Sequence, residues 1–240
     1  MLVKRKFLSS LLLSATQIVL PFFALSPQIG WAALILDQNR VIYPAGQNSV
    51  AIVKIENPTD TDYLIQSYVE DINGKVQDDI FAEPPLAKIK AGHKVALRLT
   101  TINSALAQKQ NEQLYWLNVT EIPRQEKGAE STHLSVIMRT RIKVFYRPVS
   151  VNARMEEDYT KLEWKHIQNG LKVHNPTPYY ITFSKVWTDT QGHDAINMDM
   201  VAPHSDLTVN NRLAEKAVQV KYNIIDDFGD TSETVTARVN

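Results

Sequence analysis

After a long apolar stretch at its start, the chain is patterned in short runs whose apolar residues fall at every second position, separated by turn residues. Val95, Leu97 and Leu99 alternate with Ala96 and Arg98, the period of a strand with one buried face. Residues 34–44, 50–56, 63–71 and 114–120 read as further strands rich in β-branched and aromatic residues. The second of these ends at Asn57-Pro58-Thr59-Asp60 and the third at Asn73-Gly74, both turn chemistry. A loop carries Pro84-Pro85, and residues 104–110 read as one helical turn or two. No helical stripe exceeds about two turns, so the pattern predicts an all-β fold.

Residues 133–147 form one uninterrupted run far longer than the usual five- or six-residue strand. Its even positions are Leu134, Val136, Met138, Thr140, Ile142, Val144 and Tyr146, and its odd positions include Ser135, Arg139, Arg141, Lys143 and Arg147. One face is apolar and the other mostly polar. Pro148 has no N–H for a ladder and ends the strand. A second set of short runs follows, at 162–164, 171–174, 181–187, 207–209, 218–225 and 234–239, with turns at Asn169-Gly170, Asn175-Pro176, Gln191-Gly192 and Phe228-Gly229. Two halves of about seven short strands each predict two immunoglobulin-like sandwiches, residues 33–147 and 148–240. Trp116, Trp164 and Trp187 read as core residues, because buried aromatics dominate such packing.

Residues 1–32 read as an export signal: Lys4, Arg5 and Lys6 give a basic start, residues 7–25 are largely apolar, and Gly30-Trp31-Ala32 supplies small residues before a cut near Ala32. Removing them leaves 23 basic against 26 acidic residues, a net charge of −3 that gives no electrostatic case for nucleic acid. The chain has no cysteine, which excludes disulfides, thiolate nucleophiles and sulfur-ligated metal sites. Its six histidines, His93, His133, His166, His174, His193 and His204, show no pair three or four apart, so no metal is expected. Nucleophile elbows and phosphate-cradling glycine loops are also missing, and no enzyme activity or cofactor is expected. Asp78-Asp79 and Asp226-Asp227 lie beside turn signals and read as turn acids.

Several stretches together resemble the periplasmic pilus-assembly chaperones. They are Asn39-Arg40-Val41-Ile42-Tyr43-Pro44; Asn57-Pro58 with Tyr63-Leu64-Ile65-Gln66-Ser67; Pro84-Pro85-Leu86; Tyr115-Trp116-Leu117-Asn118-Val119 with Glu121-Ile122-Pro123; Arg141-Ile142-Lys143-Val144-Phe145-Tyr146-Arg147-Pro148; and Asn175-Pro176-Thr177-Pro178-Tyr179-Tyr180. The most specific are the arginine-led run ending in Tyr43-Pro44 and the Phe145-Tyr146-Arg147-Pro148 run. The resemblance implies two immunoglobulin-like domains set at an angle and a periplasmic protein that binds fimbrial subunits and passes them to an outer-membrane usher. It implies that residues 133–147 are lent to a subunit, with Leu134, Val136 and Met138 filling the subunit's groove. It further implies that Arg40 and Lys143 grip the subunit's C-terminal carboxylate, and that Glu112, Arg147 and Asp227 make an ionic contact between the domains, with Asp226 as the rival third member. The short 124–132 loop resembles the branch serving rod-like fimbriae. An unpaired strand of this kind also allows the free chain to pair with a second copy of itself.

Taken without the resemblance, Leu134, Val136 and Met138 read as the core face of an ordinary sandwich strand. Arg40 and Lys143 read as solvated cations, and Glu112, Arg147 and Asp227 as exposed charges of little energetic value. An adhesive or carbohydrate-binding sandwich is then the rival, and it has no use for the Arg40 and Lys143 pair. A secreted hydrolase would require paired carboxylates in one cleft, which the spacing does not offer.

Overall fold

A computed structural model of the chain describes residues 34–46, 49–122, 137–151, 154–155, 157–188, 195–211, 214 and 216–240. The export-signal reading of residues 1–32, the 124–132 loop, and Leu134 and Val136 lie outside these residues. The described residues form sixteen strands, with short 3-10 turns at Leu106–Gln108 and Asp158–Lys161. The fold is all-β and has two cores.

The first core lies between two sheets. One contains β1 (Ile35–Leu36), β3 (Ala51–Glu56), β7 (Lys94–Thr101) and β5 (Ile80–Glu83) in the order β1-β3-β7-β5. The other contains β2 (Arg40–Pro44), β9 (Arg139–Arg147), β8 (Gln113–Ile122), β4 (Tyr63–Glu70) and β6 (Leu86–Ile89) in the order β2-β9-β8-β4-β6. Alternation sends Val53, Ile55, Leu97 and Leu99 inward from the first sheet and Ile65, Leu117, Ile142, Val144 and Tyr146 inward from the second. Every pairing is antiparallel except that of β2 with β9, which is parallel.

The second core lies between β10 (Glu163–Ile167), β11 (Gly170–Asn175) and β14 (Ser205–Asn210) on one side and a four-stranded sheet on the other. That sheet runs β13 (Met200–Val201), β12 (Ile181–Trp187), β15 (Gln219–Ile224), β16 (Val235–Arg238). Trp164, 1% exposed, anchors it, with its ring centroid 5.9 Å from Phe183 and 5.7 Å from Tyr222.

Three expectations need correction. Residues 34–44 are not one strand: the chain leaves the first sheet after β1 and joins the second as β2. The polar segment 37–39 permits the crossing, because Asp37 Oδ1 accepts the Lys54 N–H at 2.9 Å and Gln38 Nε2 donates to Ile52 O at 2.8 Å, satisfying backbone groups of β3. The expected Pro84-Pro85 loop is flanked by β5 and β6, each too short to display a period. Trp116 and Trp187 are not core residues but lie half-buried on outer faces, under Arg141 and Lys185. Trp164 alone of the three is fully buried.

One local device is used twice. Asn57 and Asn175, both 0% exposed, each precede Pro and Thr. Each side-chain oxygen accepts the N–H and hydroxyl of the Thr two residues on, at 3.1 and 2.7 Å around Asn57 and 3.0 and 2.7 Å around Asn175. Each side-chain nitrogen donates to the carbonyl four residues on, Thr61 or Tyr179, at 2.7 Å, and also reaches across, to Ile89 O or Ala202 O. A buried amide that meets its donors and acceptors in this way pins a turn to its own sandwich. Asn57→Ala and Asn175→Ala are each expected to lose about 1–3 kcal/mol, because buried carbonyls would be left without donors. Urea unfolding followed by tryptophan fluorescence measures this, with the exposed Asp60→Ala as a near-neutral control.

Candidate functional site

β9 is the strand on which the candidate residues converge. Its even residues Ile142, Val144 and Tyr146 enter the first core, so its odd residues Arg139, Arg141 and Lys143 face outward. Arg141 lies 4.2 Å above the Trp116 ring and 3.3 Å from Glu70 Oε2. Parallel pairing sets Arg40, the first residue of β2, directly beside Lys143, one strand spacing away at about 4.8 Å. The two cations thus share one face of the sheet.

Arg40 is buried, 8% exposed. Its Nη1 donates to Ile225 O at 2.9 Å, from the second sandwich, and its guanidinium lies 5.6 Å from the Phe145 ring. Arg40 Nε has no hydrogen-bond partner among the described residues. Burial lowers the guanidinium's proton affinity and neighbouring Arg147 adds to the effect, while Asp227, Asp226 and Glu112 oppose it; the group stays charged. Lys143 Nζ lies 3.2 Å from Asp199 Oδ1 and 5.9 Å from the Trp116 ring. Of the two cations, Arg40 is the enclosed one and Lys143 is paired with an exposed carboxylate.

The backbone of β9 is unequally covered. Its pairing with β8 runs from Arg139 to Tyr146, and the Glu121 N–H extends it by donating to Met138 O at 2.8 Å. Even residues therefore aim their backbone groups at β8, and odd residues aim theirs the other way; the Ala45 N–H accordingly donates to Arg147 O on the β2 side. β2 covers only Lys143 to Arg147. Among the described residues no strand pairs with Arg139 or Arg141 on that side. Met138 and Ile137, 54% and 64% exposed, lie at the start of this open edge. Of the three expected groove-filling side chains, the described residues place only Met138.

Below the cations lies a buried ionic cluster. Arg147 Nε donates to Glu112 Oε1 at 2.7 Å, while Nη1 and Nη2 donate to Asp227 Oδ2 and Oδ1 at 2.7 and 2.5 Å. Arg147 and Glu112 are 2% and 1% exposed. Glu112 Oε2 accepts the Tyr180 N–H at 2.7 Å, and Asp227 Oδ2 accepts the Met155 N–H at 3.1 Å, so residues of both cores meet here. Asp226 plays a different part, because its Oδ1 accepts the N–H groups of Phe228 and Asp230 and so shapes the turn that presents Asp227. Gly229 in that turn has φ +89°, which a side chain would strain, and Asn39 lies against it, so glycine suits the turn that docks beside β2.

Burial pushes the Glu112 carboxyl up to about 7 against the pull of Arg147 and the Tyr180 N–H. Burial also lowers Arg147, but there the hydrogen bonds to Asp227 and the charges of Glu112 and Asp227 prevail, holding it above the ordinary guanidinium range. These directions disagree about one contact, and the hydrogen bonds decide between them. Both Glu112 oxygens face N–H donors, which a carboxylate satisfies and a carboxylic acid does not; the pair is ionic.

Asp199 and the Ile225 carbonyl escaped sequence reasoning. Asp199 sits in a stretch without period, and a backbone carbonyl carries no residue signature. Among the described residues no group of three His, Asp or Glu side chains comes together to hold a metal.

Comparisons with known proteins bear on this geometry. Residues 33–152 match the family described as pili and flagellar-assembly chaperone, PapD N-terminal domain, and residues 157–236 match pili assembly chaperone PapD, C-terminal domain. The chaperone protein LpfB of Salmonella typhimurium is 33% identical over 234 residues, covering 96% of this chain and 99% of its own. The solved YadV chaperone matches with a TM-score of 0.73 at 30% identity, covering 86% of this chain and 100% of its own; YadV of Escherichia coli K12 is described as a probable fimbrial chaperone. A chain of the complex between the Salmonella enterica SafA pilin and SafB chaperone matches with a TM-score of 0.75 at 25% identity, covering 87% of this chain and 97% of its own.

Arg147→Ala is expected to cost about 3–5 kcal/mol, because it leaves the Glu112 charge buried without a counter-ion. Asp227→Ala is expected to cost more than Asp226→Ala, which loses only the turn acceptor. Urea denaturation of the three variants checks the order, and a larger loss in Asp226→Ala would contradict it.

Proposed function

The chain belongs to the pilus-assembly chaperone family, and from that premise we propose that it captures fimbrial subunits in the periplasm by lending them the open edge of β9. It is a chaperone, not an enzyme. Residues 1–32 serve, in this reading, as an export signal removed near Ala32, leaving domains at 33–147 and 148–240. The separate cores of Val53, Leu97 and Val144 and of Trp164, Val173 and Tyr222 support that division.

The uncovered edge beside Arg139 and Arg141 carries the proposal. A subunit lacking one strand has an exposed groove and unpaired edges that aggregate, and the backbone groups of β9 extend its sheet without regard to side chains. Leu134, Val136 and Met138 fill the groove at alternate positions. Fully buried, each such side chain contributes about 1.5–3 kcal/mol before association costs are subtracted. The guanidinium of Arg40 and the ammonium of Lys143 receive the subunit's C-terminal carboxylate through charge-assisted hydrogen bonds, which fixes the alignment. The ionic cluster of Arg147, Glu112 and Asp227 keeps Arg40 and the Ile225 carbonyl in place beside that site. Release of the bound subunit to an outer-membrane usher completes the proposed role.

Arg40→Ala and Lys143→Ala are expected to abolish recovery of subunits with the chaperone from periplasmic extracts, while circular dichroism shows both variants folded. Undiminished co-purification with both would rule the carboxylate grip out. Met138→Asp is expected to weaken capture more than Ile137→Asp, because only the even face enters the groove. Both side chains are exposed in the free chain, so neither change disturbs its core; equal losses in a pull-down with purified subunit would contradict the face assignment.

A further inference from the structure

Lys143 already has a carboxylate. Asp199 lies just before β13 in the second sandwich, and its Oδ1 is 3.2 Å from Lys143 Nζ. Its place is fixed by its backbone, since Asp199 O accepts the Phe183 N–H at 2.8 Å. Its side chain is 83% exposed, against 16% for Lys143, and it accepts no other hydrogen bond among the described residues. A carboxylate so hydrated gives up one ammonium at little cost. Arg40 is held differently, by a backbone carbonyl that bears no charge and leaves Nε uncommitted.

We infer that Asp199 is an internal stand-in for the subunit's terminal carboxylate, occupying Lys143 while the cleft is empty and giving way when the terminus arrives. The inference rests on the carboxylate-cleft reading proposed above. Three observations fit an exchangeable partner better than a strap between the sandwiches. The buried cluster of Arg147, Glu112 and Asp227 already joins the two cores through the two bonds of Arg147 to Asp227 and that of the Tyr180 N–H to Glu112, to which an exposed pair adds little. Asp199 meets the one of the two cleft cations that is not already bonded to the second sandwich's backbone. Its solvation lets water take over its hydrogen bonds as the incoming carboxylate leaves water for the ammonium, so the exchange conserves charge on both sides. The stand-in also keeps Lys143 extended toward the cleft and makes the empty site a poor trap for stray anions.

The test compares two synthetic peptides of alternating apolar residues, identical except that one ends in a free carboxylate and the other in an amide. Calorimetric titration of each into the full chain reads the carboxylate contribution directly. Asp199→Asn keeps the backbone bond to Phe183 and removes only the charge. The acid peptide is expected to bind this variant about two- to five-fold more tightly than wild type, the range set by an exposed ion pair, and the amide peptide equally well. Unchanged or weaker acid binding overturns the inference while leaving the cleft reading intact, and so does an equal gain for both peptides, which would mark Asp199 as a strap. A wild-type chain that does not prefer the acid overturns the cleft reading itself.

Discussion

Among the described residues β9 has two neighbours along its C-terminal half and one along the rest, and most of the molecule's chemistry follows from that inequality. A strand edge without a partner is a hazard in an ordinary sandwich. Here the unpaired stretch carries a row of outward-facing cations at Arg139, Arg141 and Lys143. Ile142, Val144 and Tyr146 supply the buried face of β9, and Arg139 to Arg141 are held on one side only, by β8.

The second sandwich meets β9 and the start of β2 through polar contacts as well as the Phe145–Tyr180 ring pair. It supplies the Ile225 carbonyl to Arg40, Asp227 to Arg147 and Asp199 to Lys143. These three contacts fall along the outward face and differ in burial. Arg147 is sealed and costly to disturb, Arg40 is enclosed with a donor to spare, and Lys143 opens to water. Exposure thus rises from Arg147 to the Arg40–Lys143 rung, nearer the free edge.

Much of the fold is legible in the sequence because period-2 alternation survives in most strands of five or more residues; the segments around Val95 to Leu99 and Val220 to Ile224 show it directly. β1, β5, β6 and β13 have two to four residues, too few to establish a period, and so merge into loops or a longer run. The tryptophans mislead for a related reason. Trp116 sits on an even position of β8 whose outward direction is fixed by pairing with Lys143, and only register, a long-range property, says so. Alternation alone sets Lys143 opposite Val144 and Tyr146, but the approach of Arg40 to it and the meeting of Glu112, Arg147 and Asp227 come from family likeness and not from spacing. Asp199 is invisible to both.

The switch between sheets at residues 37–39 has a geometric corollary. β2 occupies the lane alongside β9 beginning at Arg40, so the point at which the chain crosses over determines how many rungs stay vacant. Any guest laid in that lane must stop where β2 starts, and a guest whose last residue reaches Arg40 and Lys143 must travel in the same direction as β9. A crossover placed two residues earlier would shorten the vacancy by one outward-facing rung and move its boundary away from the cations. Segment 37–39 is in this sense a ruler, and the charged pair marks its zero.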